Sequence, residues 1–118
     1  MSLFRPAGTN YIGVLDLAAS ARWYTEKFGL RQQTTKFDEG QKGVELTLSD
    51  EIFFVLGPGE LPHDEDTPML YTSNVIRARD FLLARGVTVD EIHKDRQGTR
   101  FFQMRDLENH VIEIVQEP

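Results

Sequence analysis

The sequence of 118 residues predicts an α+β fold made of two consecutive β-α-β-β-β modules. Each half of the chain contains one apolar pattern of helical spacing, and each pattern is followed by three runs rich in β-branched and aromatic residues. A segment rich in proline, glycine and acidic residues separates the halves. The order of elements repeats with a period of about 58 residues, and such a repeat fixes the architecture.

The first module is predicted to begin with a strand over residues 9–15. Asp16 is a residue type favoured at the N-cap of a helix, and apolar residues recur at helical spacing from position 17 to 28. Gly29 stands where a glycine commonly ends a helix. Turn-forming residues then separate three predicted strands, at residues 30–37, 43–48 and 52–56.

The second module repeats this order after a predicted linker over residues 57–66. Ser73 or Asn74 is expected to cap its helix, and Gly86 to end it. Its strands are predicted at residues 69–72, 87–93, 99–105 and 110–116. We therefore expect a single domain over residues 1–118, with half-modules at about 8–57 and 67–117.

The composition excludes several classes of function. The net charge of −6, with positive residues scattered along the chain, argues against nucleic acid as a partner. The absence of cysteine excludes disulfides and thiolate ligands and suggests a reducing compartment. No signal peptide or membrane-spanning run is visible, so we expect a cytoplasmic protein without a membrane partner.

Two stretches carry a family resemblance: VLDLAASARWYTEKFGL at residues 14–30 and FQMRDLENHVIEI at residues 102–114. They resemble the glyoxalase/bleomycin resistance protein/extradiol dioxygenase superfamily, also called the vicinal oxygen chelate superfamily. In the second stretch Asn109 replaces the glycine of the family's hairpin, and asparagine tolerates the left-handed conformation. The resemblance implies a cup-like mixed sheet around a cavity, helices on the outside, a small-molecule ligand and a homodimer.

The resemblance also implies four positions at which the family's metal enzymes hold a divalent ion with histidine or glutamate, on the first and fourth strands of each half. Of these, only Glu113 is a usual ligand. Glu45 looks similar locally but is placed one strand too early. No cofactor is therefore predicted, although a divalent metal at Glu113 stays open. The other three positions fall on Thr9, on Thr67 or Pro68, and on Phe54 or Phe53.

The histidines do not complete a metal site. His63 lies with Asp64 and Asp66 in the linker, where such a run is usually solvated. His93 is expected to be exposed at a strand end. His110 alternates out of phase with Glu113 and is expected to point to the opposite face of the sheet.

Alternation along the strands predicts the lining of the cavity. It is expected to be aromatic and mostly apolar, with the Glu113 carboxylate at its wall and Arg100 as a candidate partner of that carboxylate on the neighbouring strand. The predicted ligand-binding residues are Thr9, Tyr11, Phe54, Thr67, Met69, Tyr71, Arg100, Phe102 and Glu113.

Three functions are compatible with these patterns. The favoured one is metal-independent binding of a small aromatic or cationic molecule, because ligand-type residues are missing and the chain is acidic. The alternative is a metal-dependent lyase, isomerase or dioxygenase that uses Glu113, with Glu45 or other residues as further ligands. A pure interaction domain is the third, and no feature of the sequence favours it.

Overall fold

The computed structural model describes residues 3–38, 40–59 and 67–118. These form two compact units, a first unit that starts at Thr9 and a second unit that joins residues 3–8 to residues 67–118. The helices and strands in chain order are β1 (Phe4–Pro6), β2 (Tyr11–Val14), α1 (Leu17–Phe28), β3 (Arg31–Lys36), β4 (Lys42–Leu48), β5 (Glu51–Pro58), β6 (Met69–Thr72), α2 (Val75–Ala84), β7 (Thr88–Val89), β8 (His93–Lys94), β9 (Arg100–Arg105) and β10 (Val111–Gln116).

The α+β class and the repeated β-α-β-β-β order are confirmed. Two differences from the expected elements stand out. Residues 4–6 form a strand that was not predicted, because a three-residue run ending in proline carries no alternation. The single strand expected over residues 87–93 is two short strands, β7 and β8, which both pair with β9.

The first unit is a four-stranded sheet in the order β2-β5-β4-β3, with α1 against one face. The β2–β5 pair is parallel and the other two pairs are antiparallel. The Asp16 side chain accepts a hydrogen bond from the Ala19 amide at 3.0 Å, and Gly29 ends the helix with φ of 71°. Both caps stand where the sequence predicts them.

The helix α1 packs through aromatic side chains onto β5. The ring centroid of Phe54 lies 4.7 Å from that of Tyr24 and 6.1 Å from that of Phe28. Phe54 and Tyr24 are fully buried. These contacts define the helix face of the first sheet. In each of the two sheets, we call the face opposite to its own helix the helix-distal face.

The second unit contains the order β1-β6-β10-β9-β7, with β8 also paired to β9. Asn74 caps α2 by accepting a hydrogen bond from the Arg77 amide at 3.1 Å. The Gln116 side chain of β10 adds to this cap, because its Oε1 accepts from the Val75 amide at 2.9 Å. The caps tie the start of α2 to the end of the central strand.

A ring contact of 5.7 Å between Phe4 and Phe81 of α2 identifies the helix face of the second sheet. Strand alternation places Ile112 and Ile114 on this face, and both are fully buried. The odd-numbered residues of β10 therefore lie on the helix-distal face, and they are half-buried. Neither helix in the described ranges is long and apolar enough to cross a membrane.

Candidate functional site

Glu113 stands in the middle of the helix-distal face of the second sheet. It is in register with Met69 of β6 on one side and with Gln103 of β9 on the other. Paired residues of adjacent strands point to the same face of a sheet. The half-buried carboxylate is thus flanked by a thioether and an amide. This arrangement agrees with the predicted facing of Met69 and Glu113.

A second row of side chains crosses the same face next to Glu113. It runs from Arg5 to Tyr71, Val115, Phe101 and His93 through consecutive strand pairs. The guanidinium of Arg5 lies 5.2 Å from the centroid of the Tyr71 ring, and its Nε is 2.8 Å from Oε1 of Glu117. Two aromatic rings and a valine therefore form an apolar strip between two basic side chains. The sequence predicts Tyr71 and Val115 on this face but not Phe101 or His93.

The helix-distal face of the first sheet carries a row that matches the row of Met69, Glu113 and Gln103. Tyr11 is in register with Val55, Val55 with Glu45, and Glu45 with Gln33. Tyr11 is 44% exposed, whereas Ile12 beside it is buried. The predicted facing of Tyr11 away from the helix is thus confirmed.

The row that contains Tyr11 and the row that contains Glu113 show which residues occupy equivalent positions in the two halves. Tyr11 pairs with Val55 in parallel register as Met69 pairs with Glu113, and both first residues precede their helix caps by five positions. The residue that corresponds to Glu113 is therefore Val55. The prediction of Phe54 or Phe53 is wrong by one or two positions. Five consecutive buried residues of β5 leave no alternation from which the facing could be read.

The placement of Glu45 one strand too early is confirmed. Glu45 lies on β4 and pairs with Val55, as Gln103 lies on β9 and pairs with Glu113. Glu45 thus corresponds to Gln103 and not to Glu113. The resemblance of its neighbouring letters to the family pattern does not reflect an equivalent position.

Phe54 and Phe102 were both expected to point into the cavity, and this expectation is wrong. Phe54 packs on the α1 aromatic rings. Phe102 pairs with Ile114 and is fully buried on the helix face. The hairpin loop explains the second error: the amide of Asp106 bonds the carbonyl of His110, which puts residues of equal parity on the same face. The length of that loop is the signal that could have placed Phe102.

Arg100 is not the partner of Glu113. The cross-strand neighbour of Glu113 is Gln103, and Arg100 alternates with it onto the other parity of β9. Within the described part of the chain, no ion pair joins the two side chains. The odd separation of residues 100 and 103 on one strand accounts for the difference.

The residues at the family's metal positions do not fit a divalent ion. Thr9 and Thr67 are exposed and precede β2 and β6, and Val55 occupies in the first sheet the position that Glu113 occupies in the second. Hydroxyls and a valine provide neither imidazole nor carboxylate. Among residues 3–38, 40–59 and 67–118, no three histidine or acidic side chains are grouped to hold a metal.

In the described part of the chain, His93 and His110 each bond to an aspartate, a feature that the sequence did not predict. His110 Nδ1 lies 2.9 Å from Oδ2 of Asp106, whose buried carboxylate also accepts the backbone amides of Glu108 and His110. This cluster closes the β9–β10 hairpin, where Asn109 adopts the predicted left-handed conformation with φ of 70°. His63, Asp64 and Asp66 lie outside the described residues.

His93 Nε2 lies 3.1 Å from Oδ2 of Asp90. As expected, His93 is exposed, with 48% of its side chain accessible. Its ring centroid is 5.5 Å from that of Phe101, so the imidazole belongs to the helix-distal face.

An apolar depression of about 570 Å³ lies in the first unit where β2 meets α1. Its described lining contains Val14, Leu15, Leu17, Pro58 and Gly59. A binding site needs a few polar groups that orient the ligand, and these five side chains supply none. The face around Glu113 combines apolar and polar groups and is the stronger candidate.

The fold agrees with the comparisons to known proteins. The family model of the glyoxalase/bleomycin resistance protein/dioxygenase superfamily matches residues 9–114. The chain belongs to this superfamily. No curated protein matches it.

Solved structures of the same fold come from several bacteria. A superfamily member from Sphaerobacter thermophilus has a TM-score of 0.71 at 19% identity, covering 92% of this chain and 94% of that one. TioX from Micromonospora sp. ML1 has a TM-score of 0.71 at 18% identity, with 93% and 97% covered. A lactoylglutathione lyase from Agrobacterium tumefaciens has a TM-score of 0.69 at 18% identity, with 94% of each chain covered. At these identities the likeness shows the fold alone.

Proposed function

We propose that the protein binds a small aromatic or cationic molecule without a metal, on the helix-distal face of its second sheet. The observation that carries the proposal is the carboxylate of Glu113 in the middle of that face. No hydrogen bond or ion pair among the described residues engages this side chain. A half-buried carboxylate of this kind is available to a ligand.

The surroundings of Glu113 favour a flat cation. Met69 lies beside it, and the strip of Tyr71, Val115 and Phe101 runs alongside. Thioether and ring surfaces bind aromatic groups, and ring faces also attract cations. The net charge of −6 raises the local concentration of positive ligands. An aromatic amine satisfies each of these groups at once.

Metal independence rests on the donor set. A catalytic metal usually has three protein ligands and one open position. Positions 9 and 67 are threonines, and Val55 is the residue of the first half that corresponds to Glu113. One carboxylate therefore remains where three or four ligands are needed. The lyase, isomerase and dioxygenase alternatives all require a metal at this place.

Titration calorimetry with phenethylamine and its anionic counterpart 3-phenylpropionate tests the proposal. We expect phenethylamine to bind, and 3-phenylpropionate to bind at least about tenfold more weakly, since a tenfold ratio needs only about 1.4 kcal/mol. Glu113→Gln should weaken phenethylamine binding by a similar factor. Glu26→Gln on the exposed side of α1 removes the same charge and should change nothing. Equal affinity for both probes contradicts the proposal.

Metal analysis distinguishes metal-independent binding from the metal-dependent enzyme. Protein purified without chelator should contain a divalent metal at far below one equivalent. One equivalent in the wild type and in Glu26→Gln, lost in Glu113→Gln, would replace the proposal by a metal-dependent enzyme.

A further inference from the structure

A second polar group stands on the face that carries Glu113, at the outer edge of the sheet. It is the pair of Asp90 and His93, which follows β7 and includes the first residue of β8. Asp90 is held firmly: its Oδ1 accepts the Gln103 amide at 2.6 Å, and its own amide donates to the Gln103 carbonyl at 3.0 Å. Its carbonyl also accepts Nε of Arg79 at 2.7 Å. The pair is therefore fixed to β9 and to α2.

The imidazole of His93 is oriented by two contacts. Asp90 Oδ2 lies 3.1 Å from Nε2, and the Phe101 ring lies against the imidazole with the centroids 5.5 Å apart. Phe101 pairs with Val115, the residue that neighbours Glu113 on the same face of β10. Nδ1, the ring nitrogen that Asp90 does not bind, thus belongs to a side chain of the helix-distal face.

The hydrogen bond to Asp90 determines what this free nitrogen can do. A carboxylate oxygen accepts, so Nε2 carries the proton, and Nδ1 of the neutral ring is left as an acceptor. The Glu113 carboxylate is an acceptor as well. Glu113 beside the apolar strip and the neutral His93 ring at its end therefore both favour a ligand that donates hydrogen bonds.

We propose that His93, oriented by Asp90, is a second ligand-binding residue of this face, and that the ligand is an aromatic amine that also carries a hydroxyl group. The inference rests on the proposed function, because Glu113 is taken as the site of the amine. Two strand spacings and two residues separate His93 from Glu113, about 12 Å between Cα atoms. That separation accommodates one aromatic ring and a short amine chain between the two side chains.

Calorimetry with tyramine and phenethylamine tests the inference, because the two amines differ only in the hydroxyl group. Tyramine should bind the wild type about fivefold more tightly, the gain expected from one added hydrogen bond. His93→Phe keeps a ring against Phe101 but removes the nitrogen, so it should bind both amines equally. Lys94→Gln, one residue further along β8, should keep the difference. Far-ultraviolet circular dichroism shows whether each variant is folded.

Asp90→Asn distinguishes an oriented histidine from a merely present one. It leaves the His93 side chain in place and alters the group that selects its tautomer, so it should lose most of the preference for tyramine while phenethylamine binding stays unchanged. The inference is overturned if tyramine has no advantage over phenethylamine in the wild type, or if His93→Phe preserves that advantage.

The two proposals fail in different ways. Phenethylamine binding that depends on Glu113, with no gain from the hydroxyl group, removes the role of His93 and keeps the proposed function. Absence of binding by both amines, or binding that Glu113→Gln does not weaken, removes both.

Discussion

At the centre of the helix-distal face of the first sheet stands Val55, whereas Glu113 occupies the same position of the second sheet. The neighbouring strand shows the reverse exchange, with Glu45 in the first sheet and Gln103 in the second. The backbone register is shared, but the carboxylate lies on different strands. The repeat thus preserves the scaffold, while the side chains that could bind a ligand are particular to each half.

The largest expected effect separates two aromatic residues of the first sheet that lie on opposite faces. Phe54→Ala removes a fully buried ring packed on Tyr24 and Phe28, and it should lower the free energy of unfolding by about 3 to 5 kcal/mol. Tyr11→Ala, on the helix-distal face and 44% exposed, should cost less than about 1 kcal/mol. Urea denaturation measures both. Similar losses would mean that Phe54 is not the core residue.

Exchanging the central residues of the two sheets should produce unequal effects. Val55 is 5% exposed, so Val55→Glu places a carboxylate out of water and should cost about 2 to 4 kcal/mol. Glu113→Val puts an apolar group on a half-buried face and should change stability by less than about 1 kcal/mol. Chemical denaturation of both variants gives the comparison. A stable Val55→Glu protein would show that the faces tolerate charge equally.

A smaller effect is expected at Gly43, which corresponds to Phe101 of the second sheet. A Cβ atom at Gly43 would stand 2.6 Å from Cε2 of Phe37 and 2.9 Å from the carbonyl oxygen of Leu56. Gly43→Ala should therefore destabilise the protein by about 1 to 3 kcal/mol in denaturation experiments. Adding Phe37→Ala should not restore stability, because the backbone carbonyl remains in the way. Full recovery in that double variant would assign the constraint to the ring alone.

The smallest expected effect concerns the helix caps, where the two units should behave alike. Asp16→Ala and Asn74→Ala each remove a side-chain acceptor of an N-terminal amide, at a cost of about 1 kcal/mol. Because Gln116 also caps α2, the loss caused by Gln116→Ala should be additive with that of Asp16→Ala and non-additive with that of Asn74→Ala. Thermal unfolding of the single and double variants resolves these steps. A Gln116→Ala loss that is additive with Asn74→Ala but non-additive with Asp16→Ala would contradict the assignment.

The sequence predicted the helices more accurately than the facing of the strands. Helix α1 was expected over its observed residues because Asp16 and Gly29 mark its ends through local backbone chemistry. The facing of Phe54 depends on register, which a run of five buried residues and an irregularity between Leu46 and Thr47 conceal. Local signals were therefore sufficient for elements and insufficient for faces.

The candidate site was predictable where a strand alternates clearly. Met69, Tyr71 and Glu113 share one face as expected, since half-buried and buried residues alternate along β6 and β10. For His93, the sequence predicts only an exposed position at a strand end. Its proposed role depends on the contact with Asp90, and Asp90 is held by hydrogen bonds to β9 that no single segment of sequence reveals.

The strand β1 has a consequence for how the chain acquires its structure. Phe4 pairs with Thr72, so β1 leaves the ribosome long before its partner strand β6 has been made. Closing so long a loop costs more entropy than closing the local hairpins of the first unit. The unit that starts at Thr9 can thus form its sheet during synthesis, whereas the second must wait for β6. A substitution in β1 is therefore expected to affect assembly of the sheet that contains Glu113.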